Sequence, residues 1–313
     1  MSVVRAALTQ TVNAYPMPDT FEGLVKLPGR LQDIARANVD HHLDLLAKAA
    51  AEGARVVCFG ELFTAPYFAL ERNPLWTGLA EDVERGESVQ RVREASAKHG
   101  CVVIAPIYEL DPAGRRYNTA VVIDGGRIAG KYRKTHIPDG RNEQGSFHEK
   151  GYYDRSDGGN MGGRPGSSPF FPVFETSAGR LGVAICYDRH FEGVMKSLAG
   201  GGAQIVFSPA VTFGEKSRRM WRLEFQVDAA RHGVFIGGSN RKGKEAPWNQ
   251  EFFGDSHFVG PNGPVADLSK DDRIVIADLD LGELSAGDPS GWNLERDARP
   301  ETYSPAQSRA KDR

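Results

Sequence analysis

Short apolar runs recur along the chain and alternate with longer amphipathic stretches, and this alternation limits the possible folds more than any other feature. The runs at 54–61 (ARVVCFGE), 101–110 (CVVIAPIYEL) and 203–210 (AQIVFSPA) have the length and the β-branched content of buried strands. The stretches at 29–53 and 216–233 have apolar residues at helical spacing instead. The alternation predicts an α/β protein with sheets inside and helices outside.

The connections between the strand candidates are mixed. Helices join some of them, whereas the turn DGG (124–126) joins the runs 117–124 and 127–134 as a hairpin. The chain has about ten strand candidates, more than the roughly 4–6 strands of one sheet, which favours two stacked mixed β-sheets. Neither an internal repeat nor a low-complexity linker interrupts the chain. We therefore expect one domain over 1–295, followed by a polar tail (296–313) that packs on a surface or on a partner subunit.

Composition and charge exclude several classes of protein. The formal net charge of -2 leaves no basic stripe for nucleic acid or for a membrane surface. Neither a signal peptide at 1–16 nor an apolar run approaching the roughly 18 residues of a membrane span is evident. The cysteines, Cys58, Cys101 and Cys186, are sparse and odd in number, which favours a reducing, cytoplasmic location. No metal-ligand spacing is present, so we expect no metal and no cofactor.

Three polar residues come where apolar strands end. Glu61, Lys134 and Cys186 close the runs RVVCFGE, RIAGKYRK and RLGVAIC. Ligands of α/β sheets bind beyond the carboxyl ends of strands, so these side chains could meet in one cleft. There Glu61 could take the thiol proton, and Lys134 with the backbone N–H of Tyr187 could stabilise an oxyanion. Taken singly, each has an ordinary alternative: a turn glutamate, a solvated lysine and a core cysteine.

One long polar and glycine-rich segment (138–169) breaks the alternation of strands and helices. Connections of this length are usually functional lids or disordered. We expect the segment to border the entrance of any cleft.

Three segments resemble the signature sequences of the nitrilase, or carbon–nitrogen hydrolase, superfamily. They are GELFTAPYF (60–68), GKYRKTHIPD (130–139) and GVAICYDRHFE (182–192), in the order of the family. The resemblance runs from about Val3 to Leu281. It implies a four-layer αββα sandwich that associates into a homodimer or a higher homo-oligomer.

The resemblance also implies roles for four residues. Glu61 matches the general base, Lys134 the cation that stabilises the intermediate, and Cys186 the nucleophile that forms a thioester. The segment FHEKGYY (147–153) is similar to the one that carries a second glutamate, which makes Glu149 the candidate for orienting Lys134. An exposed loop glutamate is the alternative for Glu149.

The residues after the cysteine narrow the resemblance to one branch of the family. CYDRH has Arg189 three places after Cys186, as in the N-carbamoyl amino acid amidohydrolases, a branch that includes the β-ureidopropionases. A guanidinium binds a carboxylate with two parallel hydrogen bonds, which suits an acid-bearing substrate. The alternative for Arg189 is a salt bridge to Asp188 or Glu192.

Three further residues are expected near the pocket. The resemblance places Tyr67 and Asn240 there as substrate-binding residues. His136, in KTHIP, either hydrogen-bonds close to the site or caps the backbone.

The implied reaction is hydrolysis of an N-carbamoyl amino acid, of the N-carbamoyl-β-alanine type, to the amino acid, ammonia and carbon dioxide. The same catalytic set would serve an aliphatic or ω-amidase or a nitrilase. A catalytically silent scaffold protein would more readily have lost Glu61, Lys134 or Cys186. A redox sensor would require a resolving cysteine near Cys186, and the motif contains none.

Overall fold

The computed structural model describes residues 3–159 and 162–302. Within these residues the strands are β1 (Val3–Thr9), β2 (Val56–Cys58), β3 (Val102–Leu110), β4 (Arg116–Asp124), β5 (Arg127–Arg133), β6 (Asp139–Arg141), β7 (Ser146–His148), β8 (Val173–Thr176), β9 (Gly179–Val183), β10 (Ile205–Ala210), β11 (Phe235–Asn240), β12 (Lys242–Glu245), β13 (Gln250–Phe253), β14 (His257–Gly260), β15 (Gly263–Val265) and β16 (Ile274–Asp280). The α-helices are α1 (Leu31–Ala51), α2 (Glu87–His99), α3 (Glu192–Gly200), α4 (Glu215–His232) and α5 (Leu294–Asp297). In this part of the chain no helix combines the length and the apolar character that crossing a membrane requires.

Two six-stranded mixed sheets form the centre of the molecule. Their strand orders are β16-β1-β2-β3-β4-β5 and β15-β14-β11-β10-β9-β8. The strands β1, β2 and β3 run parallel in the first sheet, as do β9, β10 and β11 in the second, and antiparallel strands flank them. The prediction of two mixed sheets is confirmed.

Alternate residues of each strand point into different layers, because successive side chains of a strand face opposite sides of its sheet. On β3, Val102 and Ile104 join the core between the sheets, whereas Val103 joins the core beneath α1 and α2. On the other side, Leu198 of α3 and Phe225 of α4 pack against the second sheet. The layers are therefore helix, sheet, sheet and helix, which confirms the αββα sandwich.

Two strands end earlier than the sequence predicts. β2 ends at Cys58 and β9 at Val183, three residues before Glu61 and Cys186 respectively. The turns that follow these strands contain two residues with positive φ angles, Leu62 at 51° and Cys186 at 50°. Such angles do not continue a strand, so both predicted catalytic residues lie in turns beyond the sheets.

The segment 138–169 is not a structureless loop. Strands β6 and β7 pair as an antiparallel hairpin, and a short 3-10 turn at Glu149–Gly151 follows. Residues 160–161 of this segment lie outside the described residues, as do 303–313 of the polar tail. The described start of the tail is exposed, and its packing on a partner subunit stays a prediction.

Candidate active site

Glu61 is fully buried in the turn that follows β2. Its Oε1 accepts hydrogen bonds from Asn118 Nδ2 at 2.6 Å and from Lys134 Nζ at 2.7 Å. Its Oε2 accepts one from the backbone N–H of Val211 at 2.9 Å. Three different strand ends thus hold one carboxylate in a single orientation.

Lys134 comes directly after β5 and is also fully buried. Its ammonium lies between two carboxylates, 2.7 Å from Glu61 Oε1 and 2.6 Å from Glu149 Oε2. Burial lowers the pKa of this lysine, but the charges of Glu149 and Glu61 more than offset the effect and raise its pKa above the ordinary value. Lys134 is therefore a cation at neutral pH.

Glu149 is 1% exposed, so an exposed loop glutamate is the wrong description of this residue. Besides Lys134, it accepts a hydrogen bond of 2.8 Å from the hydroxyl of Tyr67. Burial, opposed by Lys134 and reinforced by Glu61, raises the pKa of Glu149 to about 7. Its protonation state therefore changes close to neutral pH.

Cys186 begins a short 3-10 turn (Cys186–His190) that follows β9. Its φ of 50° is unusual for a residue other than glycine, and strain of this kind is often found at functional sites. Burial and the charge of Glu61 raise the pKa of the thiol to about 12, although Lys134 and Arg189 act in the other direction. The sulfur is therefore protonated at neutral pH and requires a base to become a nucleophile.

A fully buried aspartate fixes the shape of this turn. Asp188 Oδ2 accepts hydrogen bonds from the N–H of Ile185 at 3.0 Å and from the hydroxyl of Tyr132 at 2.6 Å. Its Oδ1 accepts from the backbone N–H of His136 at 3.0 Å and contacts Nδ1 of the same histidine at 2.8 Å. Asp188 thereby joins the cysteine turn to the end of β5.

Arg189 is 3% exposed and is tied to the same turn. Its Nη1 donates to the carbonyl oxygen of Cys186 at 2.7 Å, and its Nη2 to Thr212 Oγ1 at 3.3 Å. Its Nε lies 3.3 Å from Glu224 Oε2. The carboxylate beside Arg189 is thus Glu224, and the salt bridge to Asp188 or Glu192 that the sequence left open is wrong.

A cavity of about 100 Å³ opens beside the cysteine. Its walls are formed by Tyr67, Pro138, Asn142, Phe147, Glu149, Cys186, Tyr187, Arg189, His190, Val211, Thr212, Phe213 and Ser217. Glu61 and Lys134 are fully buried and connect to this wall through Val211 and Glu149. The structure therefore brings Glu61, Lys134, Glu149 and Cys186 together, with Tyr67, Tyr187 and Arg189 around the cavity.

Two of the predicted substrate-binding residues are not on this wall. His136 stacks on Phe191, with ring centroids 3.7 Å apart, and contacts Asp188. Asn240 is fully buried and bonds to the backbone N–H and carbonyl of Thr212 and to the carbonyl of Gly254. Neither side chain lines this cavity: Asn240 bonds to the wall residue Thr212, and His136 contacts Asp188 of the cysteine turn, so their contact with substrate stays a prediction.

Sequence reasoning missed other residues of the site. Asn118 bonds to Glu61, and its carbonyl accepts the backbone N–H of Lys134 at 2.8 Å. The signal for it was an amide inside the otherwise apolar strand YNTAVVID, because a buried amide must find partners. Phe147 lies on the short strand β7 and Phe213 in the irregular segment after β10, and the local sequence of neither indicates a cavity.

Comparisons with known proteins identify the family of this chain. The family model of the carbon-nitrogen hydrolases matches residues 25–287. The chain is 33% identical to a β-ureidopropionase of Arabidopsis thaliana, over 96% of this chain and 72% of that protein. It is 30% identical to an N-carbamoylputrescine amidase of rice, over 87% of this chain and 89% of that protein.

A solved structure gives the same result for the whole fold. The crystal structure of a carbon-nitrogen hydrolase from Helicobacter pylori superposes with a TM-score of 0.78, at 26% identity, over 96% of this chain and 97% of that one. Sequence and fold agree over nearly the full length, and the chain belongs to the carbon–nitrogen hydrolase family of enzymes.

Proposed function

We propose that this enzyme hydrolyses an N-carbamoyl amino acid of the N-carbamoyl-β-alanine type to the amino acid, ammonia and carbon dioxide. The observation that carries the proposal is the buried Arg189 on the same cavity wall as Cys186. The Nε of Arg189 faces Glu224, but its two Nη groups keep further N–H donors, which suit a substrate carboxylate and not the ammonium of a carbamoylated amine. The two named relatives share the carbamoyl group in their substrates, and Arg189 favours the acid over the amine.

The first half of the proposed reaction forms a covalent intermediate. Cys186 attacks the carbamoyl carbon while Glu61 takes the thiol proton, so that an S–C bond forms and the carbonyl oxygen becomes an oxyanion. Lys134 and the backbone N–H of Tyr187 stabilise this charge. The C–N bond to the terminal amine then breaks, Glu61 returns the proton, and ammonia leaves an S-carbamoyl thioester.

The second half regenerates the thiol. Glu61 removes a proton from water as the oxygen attacks the thioester carbon, and the proton passes to the departing sulfur. The carbamate that is released decomposes to carbon dioxide and the free amino acid. The raised pKa of Cys186 supports the assignment of Glu61, since a thiol protonated at neutral pH needs a base in contact with the reacting atoms.

Glu149 and Tyr67 complete the proposed machinery. Glu149 orients the Lys134 ammonium at 2.6 Å, and Tyr67 holds Glu149 at 2.8 Å. A cation fixed by two carboxylates cannot turn toward solvent, which keeps it in place for the developing oxyanion.

The deciding experiment measures ammonia release from N-carbamoyl-β-alanine, N-carbamoyl-α-amino acids, N-carbamoylputrescine and simple amides. The Cys186→Ala variant serves as the blank, because it removes only a sulfur atom and should lower turnover by about 10⁴-fold or more. Preference for the carboxylate-bearing carbamoyl compounds supports the proposal. Activity confined to simple amides would keep the family chemistry and reject the role of Arg189.

Location and assembly belong to the same proposal. All three cysteines are buried and free, which fits a reducing compartment such as the cytoplasm. We propose a homodimer or higher homo-oligomer, as the family resemblance implies. Sedimentation of the purified protein tests the assembly, and a monomer at micromolar concentration contradicts it.

A further inference from the structure

A second buried ion pair lies behind the candidate active site. Arg241 follows β11 and Glu245 ends β12, and both residues are 3% exposed. The guanidinium of Arg241 contacts Glu245 Oε1 through Nη1. Neither residue lies on the wall of the cavity that contains Cys186. Burying an ion pair carries a large desolvation cost, and further hydrogen bonds to both partners are needed to offset it.

Arg241 binds the backbone of the turn that carries Glu61. Its Nη2 donates to the carbonyl oxygens of Glu61 at 3.2 Å, Leu62 at 3.0 Å and Ala65 at 2.7 Å. Leu62 has a φ of 51°, a conformation that side chains other than glycine rarely adopt. The carbonyls of this turn have left the sheet, and Arg241 donates to all three of them, although the Leu62 carbonyl also accepts the backbone N–H of Ala65.

Glu245 holds the other end of the same segment. Its Oε2 accepts the backbone N–H of Tyr67 at 2.8 Å, and its Oε1 accepts the backbone N–H of Asn13 at 2.8 Å. One ion pair therefore fixes both ends of residues 61–67. The side chains at those ends, Glu61 and Tyr67, are the ones that bond to Lys134 and Glu149.

We infer that Arg241 and Glu245 are positioning residues that set the direction of the Glu61 carboxylate and of the Tyr67 hydroxyl. The inference rests on the proposed role of Glu61 as general base. Both residues act through the backbone of 61–67 and line no part of the cavity themselves, so we expect them to affect the chemical step more than substrate binding. A displacement of about 1 Å at a reacting group can cost about 100-fold in rate.

The test compares Arg241→Lys with Glu245→Gln. Lysine keeps the charge opposite Glu245 but has no planar fork for three carbonyls. Glutamine leaves one oxygen where the carboxylate has two acceptors. We expect kcat for the preferred carbamoyl substrate to fall about 30- to 100-fold in Arg241→Lys, with KM changed by less than about threefold. In Glu245→Gln, kcat for the same substrate should also fall, by a smaller factor.

A second measurement separates positioning from general destabilisation. Hydrogen exchange of peptides covering 61–70 should become faster in both variants. In Glu245→Gln the N–H of Tyr67 loses its carboxylate acceptor, and in Arg241→Lys the turn loses its guanidinium donor. The control is Val92→Ala, which opens a gap in the core under α2 at a residue that does not line the cavity. That control should lower the melting temperature by a similar amount, with unchanged kcat and unchanged exchange at 61–70.

Two results would overturn the inference: folded variants with wild-type kcat, or a loss of kcat that the Val92→Ala control reproduces. Failure of the proposed function looks different. In that case Cys186→Ala or Glu61→Gln retains turnover in the same assay, whatever Arg241→Lys does.

Discussion

Arg189 donates a hydrogen bond of 2.7 Å to the carbonyl oxygen of Cys186, three residues before it in the same turn. The proposed carboxylate anchor is therefore attached to the backbone of the proposed nucleophile. Substrate binding and the position of the sulfur depend on one side chain, and a substitution of Arg189 should affect both.

We expect Arg189→Ala to raise KM for N-carbamoyl-β-alanine about 10- to 100-fold. This factor corresponds to the binding free energy lost with one charge-assisted hydrogen bond. It should also lower kcat, because the cysteine turn loses its tie to the side chain. A simple amide is the control, since it has no carboxylate: its kcat should fall and its KM should stay the same. An unchanged KM for the carbamoyl acid rejects the anchor. Steady-state kinetics on both substrates give the answer.

The pKa of Glu149 predicts the acid side of the pH profile. Burial raises this pKa to about 7, and the deprotonated carboxylate is the form that accepts from Lys134. We expect kcat/KM to rise as the pH increases from about 6 to about 8, with an apparent pKa near 7 that belongs to the coupled group. Glu149→Gln should have low activity and lack this limb. A limb that persists unchanged in that variant would mean that another group titrates.

The raised pKa of Glu149 also predicts how stability depends on pH. Activity should rise with pH, whereas the stability of the fold should decrease. A carboxyl whose folded pKa is raised above its unfolded value favours folding while it is protonated, and this contribution is lost as the pH rises through the folded pKa. We expect the melting temperature of the wild type to decrease, relative to Glu149→Gln, between about pH 5 and pH 8. Thermal unfolding of both proteins across that range is the measurement, and parallel curves contradict the prediction.

Phe147 should limit the size of the substrate. It lies on the wall of a cavity of only about 100 Å³ and packs edge-on against Phe213, with ring centroids 6.1 Å apart. Phe147→Ala should raise kcat/KM for N-carbamoyl amino acids with larger side chains about tenfold, while lowering it for N-carbamoyl-β-alanine. Phe170→Ala is the matched control: it changes an exposed phenylalanine directly after the polar segment and should leave selectivity unchanged. Identical substrate profiles for both variants would reject Phe147 as the limit.

Asp188 should control the cysteine turn through its four contacts with Ile185, Tyr132 and His136. Asp188→Asn replaces one acceptor oxygen with a donor, which costs about 1–3 kcal/mol in a buried site. We expect kcat to fall about tenfold or more and the rate of Cys186 alkylation to change. Asp124→Asn provides the comparison, because that aspartate also accepts from a backbone N–H and a hydroxyl, both of Ser177, but away from the cavity. Equal effects of the two substitutions on kcat would show that Asp188 has no special role.

The sequence by itself determined the layers of the fold and the members of the proposed catalytic set. Alternation of apolar and polar residues is a local property, and it decides which face of a strand is buried. The motif residues around Glu61, Lys134 and Cys186 sufficed for the family resemblance. The same local reasoning extended two strands too far: β2 and β9 end at Cys58 and Val183, and the turns after them contain positive φ angles at Leu62 and Cys186.

Only the tertiary structure decided which polar groups meet. Cys58 and Cys186 both follow apolar runs, yet Cys58 is core and Cys186 lies beside a cavity, with Glu61, Lys134 and Arg189 influencing its pKa. Such contacts join residues distant in the chain, and sheet stacking sets their distances rather than any local pattern. For the same reason the sequence could not show that Asn240 bonds to Thr212, that His136 contacts Asp188, or that Arg241 holds the turn of Glu61.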